Sequence, residues 1–493
     1  MTKDNLSRRT FLKTTASGAA AVGSAGVLGT PAPIRAAGAN ERLRVAFLGT
    51  GGRCQAHISA VMNLQKENKG VEAAAVCDVF NRNRDKSADR IKKTVGGDPI
   101  KTGDYRDLIN DKSIDVVCIA TPDHWHAKMI IEALKAGKQV YCEKPMTHTI
   151  QEALDVVDTW KETGKIMQVG VQRTSDGRWK AANQFIREGG IGKVIQAQTE
   201  YYRNSGMGQW RYYALTRDMT PQNIDWKMFL GTEFGLAPEM PFDRAIFGQW
   251  RCYWPFGSGL YTDLFVHRLT QIITALGVRY PRRVVGGGGI FLEYDGRDVP
   301  DTATVVADYD AGCQVLVTAT MVNDHKIEQC IRGHHGTILF NLSTDGFEYI
   351  PERPQVTRNS KLKPKHVSAP RPDNETQAHW ENFIDAIAKN DPQACNNPPD
   401  LGAAAIVTVT MGAESYRYGK VYEFDAEANK VVEGSPAYSE QWEAMSKKRS
   451  APRHVPGWAP IDKDPMFSRQ IPRDYQKLEG PWKDDQTDPA PGE

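Results

Sequence analysis

The sequence predicts an α/β protein of two domains: a doubly wound parallel sheet in the first half, and an α+β domain with a large sheet in the second. Two observations carry this prediction. Short apolar runs alternate with helical stretches over residues 43–142, and strand-like runs follow one another closely over residues 283–345. The length of 493 residues agrees, since a domain averages about 150 residues.

The first half contains four apolar runs of strand length with helical stretches between them. The runs cover residues 43–48, 71–77, 115–120 and 139–142, and a helical stretch covers residues 124–136. Strands that alternate with helices indicate a parallel sheet with helices packed on it. We assign residues 43–168 to this first domain.

A glycine-rich turn, Gly49-Thr50-Gly51-Gly52-Arg53-Cys54, follows the first strand directly. Gly49 permits the tight turn, and Gly51 lets the backbone approach a pyrophosphate at the start of the next helix. Cys54 stands where the usual fingerprint has its third glycine, and an ordinary loop can also contain two such glycines. The position after a strand nevertheless favours a dinucleotide site formed by Gly49, Gly51, Gly52 and Arg53.

Asp78 ends the second strand, where an acidic residue would accept hydrogen bonds from both ribose hydroxyls. Its carboxylate also repels a 2′-phosphate, which favours NAD over NADP. Arg82 and Arg84 follow closely and would tolerate that phosphate, so NADP remains open. Asp78 lies later than the usual ~20 positions beyond the glycines, and the polar segment 65–70 accounts for the delay.

The N-terminus has the pattern of an export signal. The segment Ser7-Arg8-Arg9-Thr10-Phe11-Leu12-Lys13 resembles the twin-arginine (Tat) consensus, and residues 14–34 are uncharged but too weakly apolar for a stable membrane span. Small residues at positions 37–39 fit cleavage before Asn40. We expect residues 1–39 to be a Tat signal peptide, recognised by the Tat machinery and directing the protein to the periplasm. A disordered tail or a retained anchor are the alternatives.

The composition excludes several classes of protein. The 62 basic and 60 acidic residues give a net charge of +2, which argues against a general nucleic-acid binder. Eight cysteines in so long a chain do not make a disulfide scaffold, and several of them lie in apolar runs typical of buried thiols. His124 and His126 have no further metal ligands at suitable spacing, so we expect no metal site.

Two segments carry a specific family resemblance. Residues 120–127, Ala-Thr-Pro-Asp-His-Trp-His-Ala, and Glu143-Lys144-Pro145 resemble the Gfo/Idh/MocA family of nicotinamide-dependent oxidoreductases, and the resemblance extends over residues 43–422. It implies that Glu143 and Lys144 lie beside the nicotinamide and that Lys144 is an active-site residue. The other cofactor contacts that we expect on this basis are Thr121, Pro122, His124 and Gln172.

Aromatic residues are concentrated early in the second half, between residues 205 and 256. Aromatic rings suit the C–H faces of sugars, although rings under long loops more often form a satellite core. We expect Trp210 and Tyr213, together with Arg173 and His267, to contact the substrate.

Asp263 and His267 begin a helical pattern that continues to Leu276. Because they are four residues apart, they share one helix face. The family resemblance implies that this face projects into the substrate pocket opposite Lys144. We therefore predict Lys144, Asp263 and His267 as catalytic residues; the alternative is an aspartate that starts a helix near a structural histidine.

The remaining strand-like runs cover residues 283–285, 290–294, 302–309, 314–320, 326–332 and 337–340, and helices follow over residues 380–389 and 401–416. By resemblance they form the family's large, mostly antiparallel sheet, one face of which often makes an interface, so we expect a homodimer or homotetramer. We assign residues 169–425 to this domain and residues 426–493 to a Pro-rich C-terminal tail.

These features predict an exported enzyme that transfers hydride between a carbohydrate or polyol hydroxyl carbon and NAD(P). His267, with a histidine's ordinary pKa near neutrality, would take the hydroxyl proton. Since the periplasm is not expected to supply free nicotinamide, the cofactor would be tightly bound and regenerated in each cycle. The alternatives are an NAD-dependent glycoside hydrolase or lyase that oxidises, eliminates and re-reduces, and a non-catalytic sugar-binding protein.

Overall fold

The computed structural model describes residues 42–341, 343–437 and 440–441. The predicted signal peptide lies outside the described residues, as does most of the predicted tail. Within the described part of the chain, no helix has the length and apolar character needed to cross a bilayer.

The first domain is a six-stranded parallel sheet in the order β3-β2-β1-β4-β5-β6. Its strands are β1 Leu43–Leu48, β2 Val71–Cys77, β3 Ile100–Thr102, β4 Val116–Ile119, β5 Gln139–Glu143 and β6 Met167–Gly170. The helices between them are α1 Cys54–Lys66, α2 Asn81–Val95, α3 Tyr105–Asn110, α4 Asp123–Lys135 and α5 Ile150–Thr163. This is the strand order of a dinucleotide-binding sheet, and the predicted doubly wound fold is confirmed.

The sheet opens a crevice where its strand order reverses, between β1 and β4. Leu48 at the end of β1 pairs with Cys77 at the end of β2 on one side and with Ile119 at the end of β4 on the other. The carboxyl ends of the three strands therefore meet at one edge, which is where open parallel sheets bind their ligands.

The second domain is a ten-stranded sheet in the order β16-β15-β14-β13-β7-β11-β10-β9-β17-β18, with β8 and β12 forming a separate pair. Its strands are β7 Val194–Glu200, β8 Arg203–Asn204, β9 Arg283–Gly289, β10 Thr302–Tyr309, β11 Cys313–Thr320, β12 Val322–Asn323, β13 Cys330–Gly333, β14 Gly336–Leu339, β15 Phe347–Pro351, β16 Lys365–Val367, β17 Tyr422–Asp425 and β18 Lys430–Glu433. All neighbours in the large sheet are antiparallel except β7 and β11, so the expected mostly antiparallel sheet is confirmed.

The described residues of this second part of the chain form seven α-helices: α6 Arg178–Arg187, α7 Trp226–Leu230, α8 Arg244–Gly248, α9 Val266–Leu276, α10 Arg353–Arg358, α11 Glu375–Lys389 and α12 Pro399–Tyr418. Alternate residues of β10 and β11 are buried, as expected for a sheet covered on one face. Helix α12 lies on that face and approaches closely, since a Cβ at Gly286 would collide with the backbone carbonyl of Gly412.

Two of the predicted strands differ in the structure. Residues 290–294 are irregular, because the backbone N–H groups of Phe291, Leu292 and Glu293 all donate to one carboxylate oxygen of Asp301, at 2.8–2.9 Å. These donors are then not available to a neighbouring strand. Of residues 326–332, only the last part is a strand. The large sheet also includes β18, which lies beyond residue 425, the expected end of the second domain.

Helix α11 joins the two halves of the chain. The ring of Trp380 stacks on Tyr141 of β5, with ring centroids 4.4 Å apart, and its indole N–H donates to His57 Nδ1 at 3.0 Å. Trp380 and His57 are completely buried. A helix late in the chain thus completes the core of the first domain and positions a histidine next to the crevice.

Candidate active site

The crevice at the edge of the parallel sheet is a cavity of about 310 Å³. Seven of the predicted cofactor residues line it: Gly49, Gly51, Gly52, Arg53, Asp78, Thr121 and Pro122. The opposite wall comes from the second domain and includes Phe229, Trp250 and Arg251. The cavity is therefore closed by both domains.

The glycine turn forms an open cradle for an anion. Gly49 has a φ of +76°, and a Cβ there would lie 2.8 Å from the backbone of Thr121, so this position requires glycine. A Cβ on Gly52 would meet nothing within 4 Å, which leaves room for a ligand. Helix α1 begins immediately afterwards without a side-chain cap or an acidic residue in its first turn. Its free amides and dipole suit a pyrophosphate.

Cys54 takes over the packing role of the missing third glycine. It is the first residue of α1, is completely buried, and contacts Cys118 of β4. A small side chain at this position lets the helix approach the sheet, which is the purpose of the usual glycine.

Asp78 is held in place by its own loop. One carboxylate oxygen accepts the backbone N–H of Thr50 at 2.7 Å, and the other accepts that of Phe80 at 2.8 Å. Burial raises the pKa of Asp78 to about 6, although these hydrogen bonds oppose the rise. The Thr50 hydroxyl also donates to the first oxygen at 3.3 Å, and Asn83 donates to the carboxylate, so ribose hydroxyls would replace these side-chain donors.

Glu143 is a positioning residue under the crevice. Its Oε1 accepts hydrogen bonds from Arg53 at 2.8 Å and Gln172 at 2.7 Å, and lies 2.8 Å from His57 Nε2. Burial favours the neutral acid, but Arg53 and the hydrogen bond to His57 outweigh it and hold the pKa of Glu143 well below its usual range. The charged side chain of Arg53 is thereby fixed at the mouth of the cavity.

The predicted catalytic lysine and aspartate are in direct contact. Lys144 Nζ lies 2.5 Å from Asp263 Oδ1 and donates to the backbone oxygen of Asp263 at 3.0 Å. Arg251 Nε also donates to Oδ1 at 3.0 Å, and Trp210 Nε1 donates to Oδ2 at 2.9 Å. Despite its burial, these cations hold the pKa of Asp263 far below its ordinary value.

His267 lies one helical turn beyond Asp263 and lines the same cavity as Lys144. Burial and the nearby Lys144 ammonium hold the pKa of His267 well below its ordinary value, so the ring is neutral and can accept a proton. This corrects the expectation of a pKa near neutrality. Its ring nitrogens have no hydrogen-bond partner among the described residues. Its ring packs against that of Tyr201, with the ring centroids 6.1 Å apart.

The cavity around these groups has a volume of about 150 Å³ and adjoins the crevice. Arg53, Ala120, Thr121, Tyr213 and Arg251 line both spaces. Tyr213, predicted as a substrate contact, thus stands at their junction. A small molecule in the polar cavity would be next to a ligand in the crevice.

Some predicted contacts lie elsewhere. His124 is buried between Phe229 and Phe256, where its Nε2 contacts the carbonyl of Phe229 at 2.9 Å, and it lines neither cavity. Trp210 is completely buried, so it supports Asp263 rather than offering a face to a sugar. Gln172 binds Glu143, and Arg173 pairs with Glu375 beside a separate pocket.

Two site residues escaped the sequence analysis. Arg251 follows a tryptophan in an aromatic stretch whose pattern gives no sign of an active site. Asp123 lies within a quoted segment at the start of α4, but only folding places it near Lys144 and Arg251. Burial raises its pKa to about 8, although these two cations oppose the rise. The described residues contain no group of three or more histidine, cysteine or acidic side chains arranged to hold a metal ion.

Comparison with known proteins agrees with the fold. A crystal structure of an NAD binding oxidoreductase from Klebsiella pneumoniae superposes with a TM-score of 0.59 at 20% identity, covering 78% of this chain and 99% of the other. Levoglucosan dehydrogenase in complex with NADH and levoglucosan gives a TM-score of 0.57 at 21% identity, covering 80% and 99%. At this identity the likeness shows the fold alone.

Curated relatives with similar sequences are named as glycosidases rather than as dehydrogenases. A glycosyl hydrolase family 109 protein from Shewanella baltica is 30% identical over 241 residues, which is 43% of this chain and 51% of the relative. An alpha-N-acetylgalactosaminidase from Shewanella oneidensis is 30% identical over 191 residues, 36% of this chain and 40% of the relative. The matched segments thus span 51% and 40% of these relatives' lengths.

Family models match both domains. Residues 43–171 match the oxidoreductase family with an NAD-binding Rossmann fold, and residues 237–339 match the GFO/IDH/MocA C-terminal domain. The first domain is therefore an NAD-binding Rossmann domain, and segments of both domains match models of the Gfo/Idh/MocA family.

Proposed function

We propose that this protein oxidises a hydroxyl-bearing carbon of a carbohydrate or polyol, with NAD as the hydride acceptor. The observation that carries the proposal is the junction of the two cavities. The Lys144–Asp263 pair and the neutral His267 line a polar space that shares its walls with the nucleotide crevice. An acid–base group next to a nicotinamide is what removal of two hydrogens from a carbinol requires.

The residues that line the crevice would bind the cofactor. The glycine turn and the start of α1 would receive the pyrophosphate, and Asp78 the ribose. When bound, NAD supplies a hydride acceptor. All other steps belong to side chains of this chain.

Proton transfer falls to His267. Its neutral ring accepts the hydroxyl proton as the carbon is oxidised. Lys144 uses two of its three N–H groups on Asp263, and the third is free to donate to the substrate oxygen. The ammonium charge stabilises the alkoxide that develops there. Asp263, fixed by Arg251 and Trp210, orients the Lys144 side chain.

Export through the Tat pathway to the periplasm is part of the proposal. It rests on the segment from Ser7 to Lys13. An enzyme there would have to keep its nicotinamide and regenerate it in each cycle, by oxidising one sugar and reducing another.

A second candidate function is supported by the curated relatives. A hydroxyl oxidised to a ketone would acidify the neighbouring C–H, which permits elimination of the glycosidic alcohol. Water would then add to the unsaturated ketone, and the hydride taken up in the oxidation would be returned to the carbonyl carbon. The glycosyl hydrolase family 109 relatives favour this redox-neutral cleavage. The same residues would serve it, since its first step is the oxidation described above.

The test records the near-ultraviolet absorbance of the purified full-length protein while free sugars, polyols and glycosides are added. Formation of reduced nicotinamide identifies a substrate, and product analysis separates net oxidation from glycoside cleavage. A nucleotide-loaded protein that binds sugars without any change in the nicotinamide spectrum would instead be a sugar-binding protein. Recovery of the protein from the periplasmic fraction tests export. The nucleotide content of protein purified from that fraction tests whether the cofactor stays bound.

A further inference from the structure

A second polar pocket lies on the far side of His267. It has a volume of about 350 Å³ and shares His267, Tyr201 and Arg203 with the catalytic cavity. Two of its walls are α9 and the chain around β8. A substrate larger than the catalytic cavity would extend into this pocket past His267.

The pocket carries an excess of positive charge. Its walls contain Arg173, Arg203, Arg268 and Lys326, against the single carboxylate of Glu375. A second carboxylate, Glu200, is buried behind Arg268.

Each carboxylate already has a partner. Glu375 pairs with Arg173 at 3.1 Å, and Glu200 accepts the backbone N–H of Tyr202 at 2.7 Å. Lys326 is exposed and forms no ion pair with any described residue. Arg203 donates to the hydroxyl of Tyr201 rather than to a carboxylate. Lys326 and Arg203 thus face the pocket without a direct ion pair among the described residues, although the Asp263 carboxylate acts on Arg203 from a longer range.

A buried amide in the wall gives an independent sign of a ligand. Gln271 is completely buried and lines the pocket, one turn of α9 beyond His267. Neither its Nε2 nor its Oε1 has a hydrogen-bond partner in the part of the chain that the structure describes. Buried polar groups of this kind nearly always have hydrogen-bond partners, so we expect a bound ligand to supply them.

We propose that this pocket binds the anionic substituent of an acidic carbohydrate, a carboxylate or a sulfate ester, while the reacting carbinol lies at His267. Guanidinium groups match the planar oxygen pair of such anions, and Gln271 donates to a third acceptor. The inference rests on the proposed function and narrows its substrate to acidic sugars.

Matched sugar pairs test the proposal. The experiment measures how fast each sugar reduces the bound nicotinamide of the full-length protein. It compares glucuronate with glucose, and galactose 6-sulfate with galactose. We expect the acidic member of at least one pair to have a KM about tenfold lower, the value of one charge-assisted hydrogen bond. Which pair responds distinguishes a carboxylate from a sulfate site. Equal use of acidic and neutral sugars overturns the proposal.

Variants connect the preference to the pocket. Arg203→Gln and Lys326→Gln should each reduce the acidic-to-neutral ratio of kcat/KM about tenfold, whereas Lys430→Gln, at an exposed lysine of the edge strand β18, should leave it unchanged. A preference that survives the double variant Arg203→Gln/Lys326→Gln contradicts the assignment.

Calorimetric titration with inorganic sulfate separates this inference from the proposed function. If no sugar reduces the nicotinamide, the proposed function fails, but the pocket still predicts sulfate binding that weakens about tenfold in Arg203→Gln. Equal sulfate affinity of the unmodified protein and this variant overturns the pocket.

Discussion

The ammonium group of Lys144 and the carboxylate of Asp263 form an ion pair between the two domains, with Nζ 2.5 Å from Oδ1. Both side chains are about nine-tenths buried, at 11% and 10% exposure. The pair connects the end of β5 to the segment that leads into α9, so both domains set the geometry of the site.

Replacing Lys144 by Met should greatly slow turnover without releasing the cofactor. The methionine keeps the length of the side chain but provides no charge for a developing alkoxide, and removal of such a donor costs about 10²–10³-fold in kcat. The measurements are kcat and the bound-nucleotide content. Lys92→Met, at an exposed helical position, is the matched control. Full activity of Lys144→Met would refute its catalytic role.

Asp123 and Asp263 should respond differently to replacement by asparagine. With a pKa of about 8, Asp123 is mostly protonated at pH 7, and an amide resembles the neutral acid. We expect Asp123→Asn to keep most of its activity, whereas Asp263→Asn loses the ion pair with Lys144 and about 10²-fold in kcat.

The stability of the Asp123 variant provides a second readout. Because the folded-state pKa is raised, the unfolded state loses its proton first as pH rises. The contribution of Asp123 to the free energy of unfolding should therefore fall between about pH 4 and pH 8, so the unfolding free energy of the unmodified protein minus that of Asp123→Asn should decrease as pH rises over this range. Parallel pH profiles of the two proteins would contradict the raised pKa.

Affinity for NAD should weaken as pH falls through about 6. Asp78 has a pKa of about 6, and its protonation removes the negative charge that accepts the ribose hydroxyls. Fluorescence titration of nucleotide-free protein from pH 5 to pH 8 measures the effect. Asp78→Asn should bind more weakly and without this dependence. The same slope in both proteins would assign the titration to another group.

The activity of bound-cofactor enzyme should show no histidine titration near pH 6.5. The pKa of His267 lies well below that value, so its base form persists as pH falls from 8 to 6. We expect a level kcat over this range and a uniformly low kcat in His267→Gln. An acidic limb at pH 6.5 that disappears in His267→Gln would show an ordinary histidine instead.

Two alanine substitutions in the glycine turn should separate folding from binding. Gly49→Ala introduces a Cβ 2.8 Å from the Thr121 backbone at a φ of +76°, which should destabilise the protein by about 1–3 kcal/mol. Gly52→Ala meets nothing within 4 Å and should keep the melting temperature but weaken NAD binding. Thermal unfolding and nucleotide titration of both variants check this. Unchanged NAD affinity in Gly52→Ala would place the pyrophosphate elsewhere.

The sequence was a good guide to those parts of the site that depend on local order. The glycine turn, Asp78 and Lys144 each follow a strand directly, and the ends of parallel strands meet at one edge of the sheet. Asp263 and His267 are near each other for the same local reason, since one helical turn separates them. Local patterns were less informative where one side chain accepts hydrogen bonds from backbone N–H groups that a strand would use, as Asp301 does at residues 291–293.

By itself, the sequence determined the class of fold and the nucleotide crevice and predicted which groups would react, because strand and helix periodicity and short motifs are properties of neighbouring residues. Only the tertiary structure decided how those groups are supported. Arg251 reaches Asp263 from a loop, Trp380 reaches His57 from α11, and His124 is enclosed by aromatic rings. Such contacts depend on which distant segments pack together, and burial in that packing then sets the pKa of Asp123 and His267.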